Sequence, residues 1–244
     1  MTTPEALDEE SANSIRGRLD AARERIAEAT ARSGRAQGEV SLLLATKTVP
    51  VPLIEAAMEA GARLIGENRV QELVAKAAAL ADTPHQAHLI GPLQRNKARA
   101  ALQYAGCIQT VADLRLAQRL SAIALGPLAV MIQVNTSGEP TKFGCGPPMA
   151  ADLAAQVQQL ANVTVSGFMT VGLNSSDIRA VARSYETLRK IRDTAVRGGL
   201  GSASQLSMGM SADLEVAIAE GATMVRLGSA VFGARPTTNP AAGG

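Results

Sequence analysis

The sequence predicts an α/β chain folded as a single TIM-type (β/α)8 barrel with an extra N-terminal helix. Three observations carry this reading. Short apolar runs alternate with helix-like segments eight times, most of them at intervals of roughly 20–25 residues. The runs are apolar throughout rather than every second residue, as strands of a parallel sheet covered on both faces must be. The chain has 244 residues, close to the about 250 that one such barrel needs. An open doubly wound sheet is the competing arrangement, but no Gly-rich dinucleotide fingerprint follows the first strand.

The elements follow in order. Ile15, Leu19, Ala22, Ile26 and Ala29 recur at helical spacing and form one apolar stripe, with Arg16, Arg23, Glu24 and Glu28 elsewhere on the surface and Ser33-Gly34 as the stop. The first strand, 40–45, ends at Thr46-Lys47. A helix over 50–60 is opened by Pro50 and closed by Gly61. The second strand, 63–65, runs into Gly66-Glu67-Asn68, and Val70, Leu73, Val74 and Ala77 share one face of the next helix. The third strand, 86–90, ends at Gly91-Pro92, before a helix over 94–104. The fourth strand is 107–111, and Asp113 caps the helix that Gly126 ends. The fifth strand, 128–134, enters a long loop, 135–144. A helix over 149–160, a strand over 163–168 and a long helix over about 176–197 come next. Residues 205–206 form a weak seventh strand, Ser211 or Asp213 opens the following helix, and 223–227 is the eighth strand. The expected organisation is one barrel over 9–235, a flexible N-terminus over 1–8 and a disordered tail over 236–244.

Composition narrows the function. The net charge is only +2, from 24 basic and 22 acidic residues, and aromatic residues make up 2%. Bulk charge therefore argues for neither nucleic acid nor membrane, and stacking platforms for single strands are scarce. Two histidines, His85 and His88, and two cysteines, Cys107 and Cys145, without CxxC spacing, leave too few ligands for a structural zinc site. A disulfide between the two cysteines stays open, although their number suits ordinary cytosolic thiols better. The first ten residues are acidic and polar, unlike a signal peptide, and no apolar run is long enough to span a bilayer. A cytoplasmic protein is the expectation.

Functional groups of a barrel gather at the C-terminal ends of its strands. There the sequence places Lys47, then Glu67 and Asn68, then Gly91 with His88 just inside, then Asn135, then Ser207-Met208-Gly209, and finally Arg226 with Gly228-Ser229. A lysine at the end of a buried strand can attack an aldehyde and form an imine, or can simply run its stem along the core and its head into water. Gly228-Ser229 opens a short helix, whose free N–H groups suit a phosphate, and barrel phosphate sites lie after strands seven and eight. Lysine, phosphate cradle and barrel rhythm together favour a phosphorylated aldehyde. Asn68 fits either a ring contact or an Asx turn. Glu67 fits an internal ion pair, His88 a satisfied strand histidine, and Cys145 a loop thiol with nothing beside it to activate it.

These segments resemble the pyridoxal phosphate homeostasis protein family, also called the proline synthetase co-transcribed family. The motifs are Ala45-Thr46-Lys47-Thr48, Ile65-Gly66-Glu67-Asn68 with Val70-Gln71-Glu72, His88-Leu89-Ile90-Gly91-Pro92-Leu93-Gln94 with Asn96-Lys97, Leu206-Ser207-Met208-Gly209-Met210-Ser211, Met224-Val225-Arg226-Leu227-Gly228 and Phe232-Gly233-Ala234-Arg235. The resemblance implies a barrel like that of alanine racemase, with pyridoxal 5'-phosphate held as a covalent imine on Lys47. It implies the phosphate against Ser207, Gly228 and Ser229, and Arg226 at the pyridine nitrogen. A guanidinium cannot take up a proton from that nitrogen, so the ring is a weaker electron sink than one paired with a carboxylate. Arg69, where many relatives carry an aromatic residue, and most of loop 135–144 depart from the family pattern.

Three functions follow from this reading. The first is a non-catalytic carrier or buffer that serves vitamin B6 and amino-acid homeostasis, acts as a monomer and passes cofactor to apo pyridoxal phosphate-dependent enzymes. The second is a racemase or decarboxylase. Racemases of this barrel type draw one of two bases from a second domain, which the sequence does not show, and Tyr104 and Tyr185 both fall in predicted helices. The third is a cofactor-free aldolase using Lys47 directly.

Overall fold

The computed structural model describes residues 8–233. Residues 1–7, the predicted tail over 236–244 and Arg235 of the last motif lie outside them. Eight parallel strands close into a barrel in simple sequence order: β1 (Ser41–Ala45), β2 (Leu64–Glu67), β3 (Gln86–Leu89), β4 (Cys107–Val111), β5 (Leu128–Gln133), β6 (Val163–Met169), β7 (Gln205–Ser207) and β8 (Met224–Leu227). Closure is made by β1 against β8, with Ser41 to Leu44 in register with Met224 to Leu227. The predicted barrel, including its weak seventh strand, is therefore the observed one.

The helices are α1 (Glu9–Arg32), α2 (Val51–Glu59), α3 (Val70–Ala77), α4 (Ala98–Ala101), α5 (Leu114–Ile123), α6 (Ala150–Gln158), α7 (Ile178–Arg197), α8 (Leu214–Ala219) and α9 (Ser229–Phe232). Asp8, predicted to be flexible, instead caps α1: its carboxylate accepts from Ser11 N at 2.7 Å. The predicted stripe of α1 is buried against α2, α8 and α9. Asp113 caps α5 as expected, accepting from Leu116 N at 2.8 Å. The predicted helix over 94–104 is shorter: a 3-10 turn, Arg95–Lys97, leads into the single turn of α4. Only Ala98 and Ala101 are buried within that turn, so little apolar contact holds a longer helix together.

Most of the core lies between the strands and the surrounding helices. A second, smaller cluster joins Leu43, Cys107, Met131, Met169 and Met224, from five different strands, in the barrel interior. With aromatic residues scarce, methionine fills this space. Among the described residues no helix is long and apolar enough to cross a membrane.

Candidate functional site

The strand ends open on a cavity of about 600 Å³, within the range that small-molecule sites occupy. Lys47, Asn68, Met169, Val171, Met210, Ser211, Arg226, Gly228 and Ser229 are among its walls. Five of the six predicted binding residues thus meet in one place, though they come from three separate stretches of sequence. Among the described residues, Lys47 and Arg226 are the only ionisable side chains on this wall.

Lys47 leaves the barrel directly after β1, where Thr46 N donates to Gly66 O at 2.9 Å and continues the β1–β2 ladder. Asn68 sits above Gly91 because that position has no side chain: an added Cβ would lie 2.1 Å from Asn68 O. The Asn68 amide makes no hydrogen bond among the described residues, so it does not close an Asx turn and is available to the cavity.

Gly228 and Ser229 form the opposite side. An added Cβ at Gly228 would meet Ala45 O at 3.2 Å. What glycine allows here is the close passage of the end of β8 along β1. α9 is only one turn, so its dipole is small, but its first N–H groups are still free of helical bonds. Val231 N and Phe232 N both donate to Gly228 O, at 3.0 and 2.9 Å. Those of Ser229 and Ala230 have no backbone partner among the described residues, which leaves them free to donate to an anion.

Arg226 is buried, 6% exposed, with no carboxylate in ion-pair range among the described residues. Its Nη1 donates to Ser207 Oγ at 2.9 Å and its Nη2 to Thr170 O at 2.7 Å. Burial lowers its pKa, while the groups of Tyr185 and Asp213 oppose that shift.

Ser207, expected against a phosphate, is not among the residues that line the cavity. Its hydroxyl accepts from Arg226 and so donates to Gln109 Oε1, at 2.7 Å. The amide nitrogen of Gln109 then donates to His88 Nδ1, at 2.7 Å. His88 is consequently the tautomer with hydrogen on Nε2, and burial pushes its pKa down to about 4. A buried polar chain thus runs Arg226, Ser207, Gln109, His88, under the floor of the site. His88 is the satisfied strand histidine that its position suggested.

Ser211, not Ser207, brings a hydroxyl-bearing residue to the cavity wall. Its turn is held from behind. Asp213 accepts from Met210 N at 2.7 Å and from the Tyr185 hydroxyl at 2.8 Å. Burial first, then the Asp213 carboxylate, push the Tyr185 phenol well above its ordinary value. Neither Tyr185 nor Tyr104 lines the cavity.

The remaining sequence candidates fall elsewhere. Glu67 is buried and pairs with Lys76 at 2.7 Å. Asn135 holds its own loop, donating to Glu139 O and Lys142 O at 2.8 and 3.1 Å. Both cysteines are free thiols, and burial pushes Cys107 up to about 12 and Cys145 up to about 11, so neither is a ready nucleophile. No cluster of metal-ligating side chains occurs among the described residues.

Comparison with known proteins places this arrangement. The family model described as alanine racemase, N-terminal domain, matches residues 18–236. A pyridoxal phosphate homeostasis protein of Pseudomonas aeruginosa is 43% identical over 220 residues, covering 89% of this chain and 94% of the relative. The chain belongs to the pyridoxal phosphate homeostasis protein family. Among solved structures, a protein of unknown function from Bifidobacterium adolescentis superposes with a TM-score of 0.90 at 38% identity, covering 93% of this chain and 98% of that one. PipY of Synechococcus elongatus, solved with pyridoxal phosphate bound, superposes with a TM-score of 0.76 at 34% identity, covering 85% and 100%. Homeostasis proteins of this family are therefore the frame in which Lys47 and its cavity are to be understood.

Proposed function

We propose that this chain holds pyridoxal 5'-phosphate as a covalent imine on Lys47 and acts as a non-catalytic carrier or buffer in vitamin B6 homeostasis. The observation that carries the reading is the make-up of the cavity: one lysine, one buried arginine, free N–H groups at Ser229 and Ala230, and no third ionisable side chain among the described residues. The walls fit the cofactor. Lys47 supplies the amine for its aldehyde, Asn68 and Arg226 the ring contacts, and Gly228, Ser229 and Ser211 the phosphate side. Ser207 then acts through Arg226 rather than on the phosphate. When bound, the cofactor supplies an electrophilic aldehyde and a conjugated ring. Arg226, already donating to Ser207 and Thr170, can only donate to the ring nitrogen, which keeps the ring a weak electron sink.

Racemisation needs a base on each face of the ring, and apart from Lys47 the described wall offers none. The tether reading also agrees with the names of the relatives and with the ligand of PipY. We further propose a cytoplasmic monomer, with residues 9–235 as one unit, whose partners are apo pyridoxal phosphate-dependent enzymes.

The test is direct. Protein incubated with pyridoxal phosphate should turn yellow, and borohydride should fix the cofactor on the peptide containing Lys47. Lys47→Ala should abolish both. A protein that stays colourless refutes the cofactor reading. Turnover of an added amino acid that Lys47→Ala abolishes refutes the carrier reading, and a transfer assay to an apo-enzyme should show delivery.

A further inference from the structure

Both peptide groups that flank Lys47 are held by side chains of one helix. Lys76 Nζ, on α3, donates to Thr46 O at 2.7 Å, on the N-terminal side of Lys47. Glu72 Oε2, one turn earlier on α3, accepts from Thr48 N at 2.7 Å, on the C-terminal side. The two α3 residues lie 3.6 Å apart. Lys76 is anchored from below by buried Glu67, at 2.7 Å, and the same carboxylate oxygen accepts from Thr46 Oγ1 at 2.7 Å. The Lys47 carbonyl itself accepts from Thr48 Oγ1 at 2.6 Å.

The grip acts on a strained residue. Thr48 has φ 60°, and only Asn162 shares that left-handed conformation among the described non-glycine residues. A β-branched residue there is costly and persists only where its surroundings over-determine it. A charge-assisted hydrogen bond from its N–H to a partly buried carboxylate is a restraint of the required strength. Glu72 is thus placed to keep Thr48 left-handed, and the turn at Thr48 decides where the chain leaves β1 and so where the Lys47 amine points.

We propose that Glu72 and Lys76, seated on Glu67, are positioning residues that fix the main chain of Lys47 and aim its amine into the cavity. Helix α3 lies outside the barrel and none of its residues lines the cavity, so the device acts entirely through backbone. This inference rests on the cofactor reading of Lys47.

The experiment compares wild type, Glu72→Ala, Glu72→Gln and the double variant Glu72→Ala/Thr48→Gly. Glu72 is on the surface side of its pair and its removal leaves Glu67 and Lys76 together, so the fold survives. Two quantities are read: exchange of the Thr48 amide hydrogen, without cofactor, and the equilibrium for imine formation with pyridoxal phosphate, counted as borohydride-fixed Lys47. Glu72→Ala should speed Thr48 exchange and weaken imine formation by about tenfold, the scale set by the cost of a left-handed non-glycine residue. Glu72→Gln, which keeps an acceptor, should stay near wild type. Glycine takes the left-handed conformation freely, so Thr48→Gly should recover much of the imine loss in the Glu72→Ala background while leaving the exchange fast. A merely structural role for Glu72 predicts no such rescue. Wild-type imine on Lys47 with Glu72→Ala indistinguishable from it overturns the positioning role alone. A loss that glycine does not recover overturns it as well. A wild type that forms no imine on Lys47 overturns the cofactor reading, and this one with it.

Discussion

Replacing Gln109 by leucine would remove the middle link of the chain beneath the site while nearly preserving side-chain volume. Two buried groups lose their partners: the Ser207 hydroxyl, which donates to Gln109 Oε1 at 2.7 Å, and His88 Nδ1, which accepts from the amide at 2.7 Å. Each buried group left unsatisfied costs about 1–3 kcal/mol, so Gln109→Leu should destabilise by about 2–6 kcal/mol. That is a large part of the roughly 5–15 kcal/mol that holds a domain folded. Urea unfolding followed by far-UV circular dichroism measures it, as a lower midpoint at unchanged slope. The second half of the cycle is the sharper test. His88→Leu in the Gln109→Leu background removes one of the two orphans, so the double variant should be more stable than the sum of the single losses by about 1–2 kcal/mol. A cost of Gln109→Leu below about 0.5 kcal/mol, or a cycle additive within about 0.5 kcal/mol, would refute the claim that these groups form one connected chain.

Two other predictions follow from the same region. The His88 pKa is pushed down to about 4 from 6.5, so between those values the unfolded chain binds a proton that the folded one refuses. Stability contributed by neutral His88 is intact above pH 6.5 and is lost as pH falls toward 4, by about 3 kcal/mol in all; His88→Gln should flatten that part of a stability–pH curve, and an unchanged acid limb would count against it. Gly91→Ala places a Cβ 2.1 Å from Asn68 O, a backbone atom that cannot swing aside. It should cost about 3 kcal/mol in urea unfolding and weaken pyridoxal phosphate binding by moving Asn68, whereas Gly126→Ala, with open space around it, should be neutral.

How much of this was legible in the sequence depends on which forces wrote each feature. The barrel was, because eight buried parallel strands leave eight apolar runs, and even β7, three residues long, keeps its place in the rhythm. The meeting of Lys47, Asn68, Arg226, Gly228 and Ser229 at one cavity was, because their places are fixed by position at strand ends. Ser207 and Ser211 were not separable by that rule: they sit four residues apart in one motif, and which one faces the cavity depends on the turn that Asp213 and Tyr185 hold. Gln109 went unread although its signal was present, as an amide interrupting the run Cys107-Ile108-Gln109-Thr110-Val111. Its partners, 21 and 98 residues away, become neighbours only when the barrel closes. The grip of α3 on Thr46 and Thr48 was hidden for the same reason, since a Glu–Lys pair at helical spacing reads first as a solvated face.

Helix α1 binds the two ends of the fold to each other. Arg18 donates to Val231 O, 213 residues away, at 2.6 Å, and Arg23 donates to Ala60 O at 2.9 Å. The first strand meanwhile pairs with the last. A chain emerging from the ribosome can build its early strand–helix units in turn, but the first helix and the first strand must wait for residues near 230 before they are fully covered. Pairing over such a separation in sequence slows folding. Lys47 stands on one side of that seam and Gly228-Ser229 on the other. A chain cut before residue 228 would keep the amine of Lys47 but lose the wall opposite it, so on the proposed function cofactor binding would serve as a readout of a fully closed barrel.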